Sequence, residues 1–330
     1  EDEIASLGMV IGASWAGARS MTATAGPGIS LMSEFTGLAY YAEVPAVIFD
    51  VQRVGPSTGL PTRTAQGDLL FAAFLSHGDT KHVMLIPASV DECYSMAMQA
   101  FDLAERLQTP VFVMMDLDLG MNNWAADPFA YPEAPVDRGK RLTPEMLKQI
   151  GEWGRYKDVD GDGVAWRTVP GDGLPAYFTR GSGHNAKAQY SERPDDYVNN
   201  VNRLAKKFDT ARELVPQPAI DQVAGARIGF IAYGTSEYAT QESRDQLRDE
   251  AGLATSYLRL KAFPFTAELS AFIDAHERVY VVEQNRDAQM RTLIVNECGV
   301  DPVRLVPVLH YDGTPITARF IAKAIGEHLD

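Results

Sequence analysis

VPAVIFDVQRVGPSTGLPTRTAQGDL, residues 44 to 69, decides how the chain is read. Its first part, VPAVIFDVQ, is a continuous apolar run of strand length, and such runs mark parallel sheets covered on both faces. Its second part, Arg53 to Leu69, is rich in Gly, Pro, Ser and Thr and holds two arginines. Connections in compact domains are mostly about 4 to 6 residues long, so a polar, stiff segment of this length is expected to face a ligand. Arg53 sits at the carboxyl end of the predicted strand, where ligands bind in open α/β sheets. A guanidinium there can hold a carboxylate through two parallel hydrogen bonds. Ser57, Thr58, Thr62 and Thr64 add neutral donors, while Gly55, Gly59 and the prolines fix the path. The plainer alternative is a rim arginine on a solvated loop; placement and length favour a binding role.

Outward from this stretch the chain alternates strand and helix. Residues 3 to 18 carry Ile4, Leu7, Val10 and Ile11 on a helical spacing, with Gly8, Gly12 and Gly17 allowing close approach. SMTATAGPGIS leads into a helix over LMSEFTGLAYYAE, DECYSMAMQAFDLAERLQ is an amphipathic helix, and TPVFVMMDLDL is another buried strand. From about Gly120 to Ala226 the sequence turns rich in Pro, Gly and Asp, and reads as a connecting region whose helix around VNNVNRLAKKFDTARELV lies across a neighbour. The α/β rhythm then restarts with ARIGFIAYG, LATSYLRL, RVYVVEQN and VRLVPVL as strands between helices. The expected organisation is therefore residues 1–120, 121–222 and 223–330: a parallel-sheet α/β domain, an irregular connection and a second α/β domain.

A net charge of -14 repels phosphate backbones and argues against a nucleic-acid partner. The apolar runs fall short of the ~20 residues that cross a bilayer, so no membrane partner is expected. Cys93 and Cys298 cannot form a disulfide framework or supply the four thiolates of an iron–sulfur cluster, so a redox centre must come from another chain. No signal peptide is visible, which makes the cytoplasm the expectation. The chain opens EDEIASLGMVIGA without an initiator methionine and is expected to be truncated at its start.

Several short motifs have two readings. Glu1 and Glu3 can be first-turn charges that complement a helix dipole. TATAGPGIS, residues 22 to 30, is either a tight strand-to-helix turn capped by Ser30 or a place where free backbone N–H groups meet a cofactor. DVDGDG at 158 to 163 copies the start of a calcium loop, but Val169 stands where the bidentate glutamate belongs, so an aspartate-rich turn is expected. GDG at 171 to 173 with Asn199 and Asn200 has the spacing of a diphosphate–magnesium motif, yet no buried strand precedes it. His77 and His82 flank a strand and could serve as acid/base groups or sit at a surface. No triad or metal spacing joins the six histidines, and no metal site is expected on this chain.

GASWAGARSMTATAGPGISLMSE, DVQRVGPSTGLPTRTAQGDL, YLRLKAFPFTAEL and RVYVVEQNRDAQM together resemble the α subunit of 2-oxoacid:ferredoxin oxidoreductases, most of all the 2-oxoglutarate type. The resemblance implies that residues 1–120 form most of a thiamine-diphosphate pyrimidine-binding domain and 223–330 a transketolase C-terminal-like domain. It assigns Glu3 to the carboxyl that hydrogen-bonds N1′ of the cofactor's aminopyrimidine; sharing that proton favours the imino tautomer whose N4′ takes the thiazolium C2 proton. Glu1 is the second choice. Gly26, Pro27 and Gly28 are implied to lie at the cofactor, Arg53 to face the 2-oxoacid carboxylate, and Ser57, Thr58, Thr62 and Arg63 to line the substrate and coenzyme A side. Arg63 could hold a distal carboxylate, or both arginines could grip coenzyme A phosphates. Asp68 and His77 are left without a catalytic role.

The implied reaction is oxidative decarboxylation: carbon dioxide leaves, electrons pass to iron–sulfur clusters and ferredoxin, and coenzyme A takes the acyl group. A β subunit is implied to carry the diphosphate and Mg²⁺ site, with [4Fe-4S] clusters on partner chains and an (αβ)2 assembly. The rival readings are a subunit of a lipoamide-linked 2-oxoacid dehydrogenase or transketolase-like enzyme, and a non-catalytic scaffold subunit.

Overall fold

The computed structural model describes residues 2–329, so Glu1 lies outside the described residues. Among these the strands are β1 (Met21–Thr24), β2 (Ala46–Val54), β3 (Leu60–Thr64), β4 (Val83–Leu85), β5 (Pro110–Asp116), β6 (Ala219–Asp221), β7 (Ile228–Tyr233), β8 (Thr255–Leu260), β9 (Ala262–Phe263), β10 (Arg278–Glu283) and β11 (Leu305–Leu309). One sheet runs β1-β2-β5-β4-β9 with β3 folded back on β2; the other runs β11-β10-β7-β8-β6. Within the first, β1, β2, β5 and β4 are parallel, as the apolar runs of β2, β4 and β5 lead one to expect. Val83, Met84, Leu85, Val111, Phe112 and Val113 are buried without alternation because helices cover both faces.

The helix Glu3–Trp15 packs on the helix Ser33–Tyr41, and Gly8 is needed there because a Cβ would stand 3.2 Å from the Phe35 ring. The helix Val90–Leu107 is opened by Ser89, which accepts from the Glu92 amide at 3.2 Å, while Glu92 reaches back to the Ala88 amide at 2.9 Å. The same Glu92 pairs with Arg259 of β8, which also pairs with Glu237, so one guanidinium ties the two sheets together. A second tie is a buried polar network. Asp116 accepts from Gln66 at 3.1 Å and from Thr235 at 2.7 Å, and Gln284 donates to Thr235 at 3.1 Å.

The polar, stiff segment after β2 folds back on its strand: Arg53 pairs with Thr64 and Val54 with Leu60, making a β-hairpin with a register shift between Arg53 and Val54. Its turn needs Gly59, whose φ is 51° and whose Cβ would lie 1.9 Å from the Val54 carbonyl oxygen. The irregular segment from 121 to 222 is packed against the first sheet's domain. Its backbone is mostly irregular, but Arg155, Tyr156, Val164, Ala165 and Arg167 are buried. Arg155 donates to the Glu43 carbonyl at 2.7 Å, Arg167 pairs with Glu105 at 2.6 Å, and Gln108 donates to the Ala165 carbonyl at 2.6 Å. Strand β6 within it joins the second sheet, and β9 crosses back to pair with β4.

The helix Pro194–Ala211 is held by charge. Glu43, fully buried, receives Lys207 at 2.8 Å and a fork from Arg203. Burial alone raises its carboxyl, but the two cations outweigh burial and hold it well below the usual carboxylate range. Removing one partner of a buried pair leaves the other charge uncompensated. Glu43→Gln is therefore expected to destabilise the chain by about 3–5 kcal/mol, read from the shift in urea or thermal unfolding; an unchanged midpoint would show that Arg203 and Lys207 find water instead.

Candidate functional site

The carboxyl ends of β1 and β2 face the start of the short helix Gly26–Leu31, and the sequence-predicted residues gather there. Glu3 is the first residue of its helix, with Asp2 as the cap that accepts from the Ala5 amide at 2.9 Å. Its side chain is half-buried and runs beside Thr24 and Gly28. A Cβ built at Gly28 would lie 2.8 Å from Glu3 Cγ and 2.0 Å from Thr24 Oγ1, so glycine leaves the space that these two side chains occupy. No side-chain hydrogen bond to the Glu3 carboxylate is seen among the described residues. A half-buried acid with a free edge, held against a glycine, fits a group that offers a ring nitrogen to share a proton.

Gly26 makes the same kind of room for a different acid, since its Cβ would stand 2.8 Å from Asp68 Oδ2. Pro27 sets the first turn of the helix. Ser30 does not cap it: Ala25 is the cap residue, and the Ser30 hydroxyl donates to the Gly26 carbonyl at 3.2 Å. Arg53 sits at the base of the hairpin, half-buried, with its Nε lacking a partner among the described residues. Ser57, Thr58 and Thr62 lie on the exposed far part of the hairpin. Arg63 is exposed as well. Alternation along β3 turns it to the face opposite Thr64 and its partner Arg53, and its Cβ lies against Gly313 beyond the second sheet. The structure thus brings Glu3, Gly26, Pro27, Gly28 and Arg53 to one region and sets Arg63 apart from Arg53.

Residues that the sequence reading passed over complete this region. Thr24 lines Gly28; Gln52, buried, accepts from the Asp68 amide at 3.1 Å; Asp50 is fully buried in β2. The signal for Asp50 was an acid in the middle of the apolar run AVIFDVQ. Burial and the neighbouring Asp68 raise the Asp50 carboxyl well above its usual range.

The motifs with two readings resolve as follows. In DVDGDG, the Lys140 ammonium lies 2.8 Å from Asp160 and 2.7 Å from Asp162, and Asp158 accepts from the Gly161 and Gly163 amides. The loop is an aspartate turn with a lysine in the cation position. Asp172 of GDG accepts from the Val169 and Leu174 amides, while Asn200 lies on a helix and donates to the His184 carbonyl. They form no common site. His82 is buried between Tyr40 and Phe112, its Nε2 2.9 Å from the Leu75 carbonyl, and burial lowers it to about 4, so it is a neutral core residue. His77 instead lines a cavity of about 490 Å³ with Tyr40, Tyr41 and Asp79. Among the described residues no group of three or more His, Cys, Asp or Glu is arranged to hold a metal, and no helix is long and apolar enough to cross a membrane.

Residues 1–146 match the family described as pyruvate flavodoxin/ferredoxin oxidoreductase, thiamine diphosphate-binding. The α subunit of 2-oxoacid:ferredoxin oxidoreductase 2 from Aeropyrum pernix is 32% identical over 100% of this chain and 51% of its own length. The 2-oxoglutarate synthase subunit KorA of Methanocaldococcus jannaschii is 34% identical over 86% of this chain and 75% of its own. The 2-oxoglutarate:ferredoxin oxidoreductase of Magnetococcus marinus, solved with 2-oxoglutarate, coenzyme A and succinyl-CoA bound, matches with a TM-score of 0.90 and 31% identity, over 100% of this chain and 56% of that one. A split-gene transketolase chain, at a TM-score of 0.56 and 13% identity, shares the fold. The chain thus spans about half the length of the Aeropyrum and Magnetococcus proteins. With relatives this similar along most of both chains, it belongs to the family of 2-oxoacid:ferredoxin oxidoreductase α subunits.

Proposed function

We propose that this chain is the α subunit of a thiamine-diphosphate-dependent enzyme that oxidatively decarboxylates a 2-oxoacid, 2-oxoglutarate first among them, with coenzyme A to acyl-CoA, CO2 and reduced ferredoxin. The observation that carries the proposal is the Glu3 side chain packed, through its Cγ, at Gly28 beside Thr24, in a chain whose relatives are ferredoxin-linked oxidoreductases. Those relatives also favour it over a lipoamide-linked dehydrogenase. Residues 1–120 serve as the pyrimidine-side domain, 121–222 as a clasp over it, and 223–330 as the second α/β domain. The cofactor, when bound, supplies the nucleophilic carbon and electron sink that loss of CO2 from a 2-oxoacid requires.

Glu3 holds a proton between its carboxylate and the pyrimidine N1′, and Gly28 leaves room for the Glu3 side chain to lie along the helix start. Gly26 and Pro27 fix the backbone at the same edge. Arg53 donates two parallel hydrogen bonds to the 2-oxoacid carboxylate. Ser57, Thr58 and Thr62 offer hydroxyls from the hairpin, and Arg63, on the other face, serves the coenzyme A side rather than the same carboxylate. A β subunit carries the diphosphate, Mg²⁺ and [4Fe-4S] groups in an (αβ)2 complex, ferredoxin being the electron acceptor.

Purified complex tests this. Glu3→Gln is expected to lower 2-oxoacid-dependent viologen reduction by about 10² or more, the usual scale for a lost acid/base group. Unchanged turnover would leave a scaffold subunit as the reading. Arg53→Met is expected to raise KM for the 2-oxoacid roughly 10- to 100-fold, matching about 1.5–3 kcal/mol for hydrogen bonds to a charged group. An equal KM would remove Arg53 from the substrate site.

A further inference from the structure

The hairpin comes back to the first sheet through residues 64–70, and the second α/β domain holds that arm along its length. The Thr64 amide donates to the Gly313 carbonyl at 3.2 Å, and the Gln66 amide donates to the Gln284 carbonyl at 2.8 Å. In return the Gln284 amide donates to Gln66 Oε1 at 3.2 Å, and Asn285 Nδ2 donates to the Gln66 carbonyl at 3.0 Å. Gln289 grips two points at once: its Nε2 donates to the Gly67 carbonyl at 2.6 Å, and its Oε1 accepts from the Leu70 amide at 3.1 Å. Those partners fix which end of the side-chain amide is which, because a carbonyl only accepts and a backbone N–H only donates.

Gln289 is itself held from behind. It opens the helix Gln289–Cys298 just after Ala288, whose φ of 50° lies in the left-handed region that few residues other than glycine adopt. Asn285 Oδ1 accepts from the Gln289 amide at 3.1 Å, and the buried Glu283 accepts from Asn285 Nδ2 at 2.8 Å and from the Met290 and Arg291 amides at 2.7 and 3.0 Å. The free N–H groups of the helix start are thus satisfied within the second domain, and the Gln289 side chain is the part that reaches across. On its other side the gripped arm meets the candidate site. Thr64 pairs with Arg53, the Asp68 amide donates to Gln52 beside Arg53 at 3.1 Å, and Asp68 Oδ2 stands 2.8 Å from where a side chain on Gly26 would begin. Strand β3 is an edge strand with four exposed residues, bridged to β2 at Thr64 and Leu60, so its place depends on what anchors the arm that follows it. Arg53 Nε lacks a partner among the described residues, which leaves the backbone under Arg53 to set where its side chain starts.

We infer that Gln289, steadied by Asn285, is a positioning residue for Arg53: the second α/β domain acts on the 2-oxoacid site by clamping the arm 64–70 to which the arginine's backbone is paired. This rests on the reading of Arg53 as the substrate arginine. Loosening the clamp lets the hairpin base shift, and the fork on the 2-oxoacid carboxylate is what suffers, ahead of the chemical step or the coenzyme A side.

The experiment is steady-state kinetics of the purified complex carrying Gln289→Met, alone and combined with Arg53→Met. Methionine keeps the length of the side chain and makes neither bond. Gln289→Met is expected to raise KM for 2-oxoglutarate roughly 5- to 10-fold, the scale of one or two ordinary hydrogen bonds, with kcat and KM for coenzyme A within about twofold of wild type. In the Arg53→Met background the same change is expected to add less than about twofold, because the residue it acts through is already gone. Gln289→Glu keeps an oxygen for the Leu70 amide and loses the donor to Gly67; it is the second variant, expected to raise the same KM in a complex that assembles if Gln289→Met does not. A merely structural clamp would lower the yield of folded complex or kcat and leave KM for 2-oxoglutarate where it was. That result, a matching rise in KM for coenzyme A, or a rise that multiplies with that of Arg53→Met overturns the inference. If Arg53→Met itself leaves KM unchanged, the fault lies instead with the functional reading of Arg53.

Discussion

A parallel strand that ends in Asp50, Gln52 and Arg53 poses a problem that the rest of the fold answers. Asp50 and Gln52 are buried beside a run of buried apolar residues, and at the centre of a covered sheet water cannot satisfy them. The chain must return to the strand ends with partners. It does so through the hairpin, which brings Gln66 and Asp68 back over β2. Gln66 then meets Asp116, Ser236 and Gln284, so the polar groups that close the first sheet also dock the second. The site at Gly26 and Gly28 and the junction between the two sheets are thus consequences of one constraint.

The strands of the two sheets were legible because each is a continuous apolar run between turn residues: AVIFDVQ, VFVMMD, IGFIAY and VYVVE. Strand β3 was not. LPTRT has a proline and four exposed residues, and carries no hydrophobic alternation because it is an edge strand whose outer side meets solvent. Strand β9 is two residues long and depends on β4, far away in sequence, for its existence.

The region from 121 to 222 shows a second way for sequence to mislead. Its Arg155, Arg167, Arg203 and Lys207 read as surface charges, yet all four are buried or nearly so. Their partners, Glu43 and Glu105, lie far upstream, so no local spacing announces the pairs. The site divides in the same way. Position alone made Glu3 a first-turn charge; the resemblance of long motifs implied a role for it, and only the folded chain shows its side chain packed at Gly28. Asp50 was visible as an acid within an apolar run, but its partner Asp68 stands beyond the hairpin, where only the folded chain brings it near.

The Lys140 ammonium between Asp160 and Asp162 has a wider meaning. A positive charge tethered to the same polypeptide is present at an effective concentration that dissolved ions reach only in the millimolar range or above. Part of the negative charge of Asp158, Asp160 and Asp162 is therefore balanced from within the chain. A sequence that begins like a calcium loop thus serves as a strut: Lys140 also donates to the Val164 carbonyl and Thr210 to the Asp162 carbonyl, which ties the irregular segment to the helix behind it.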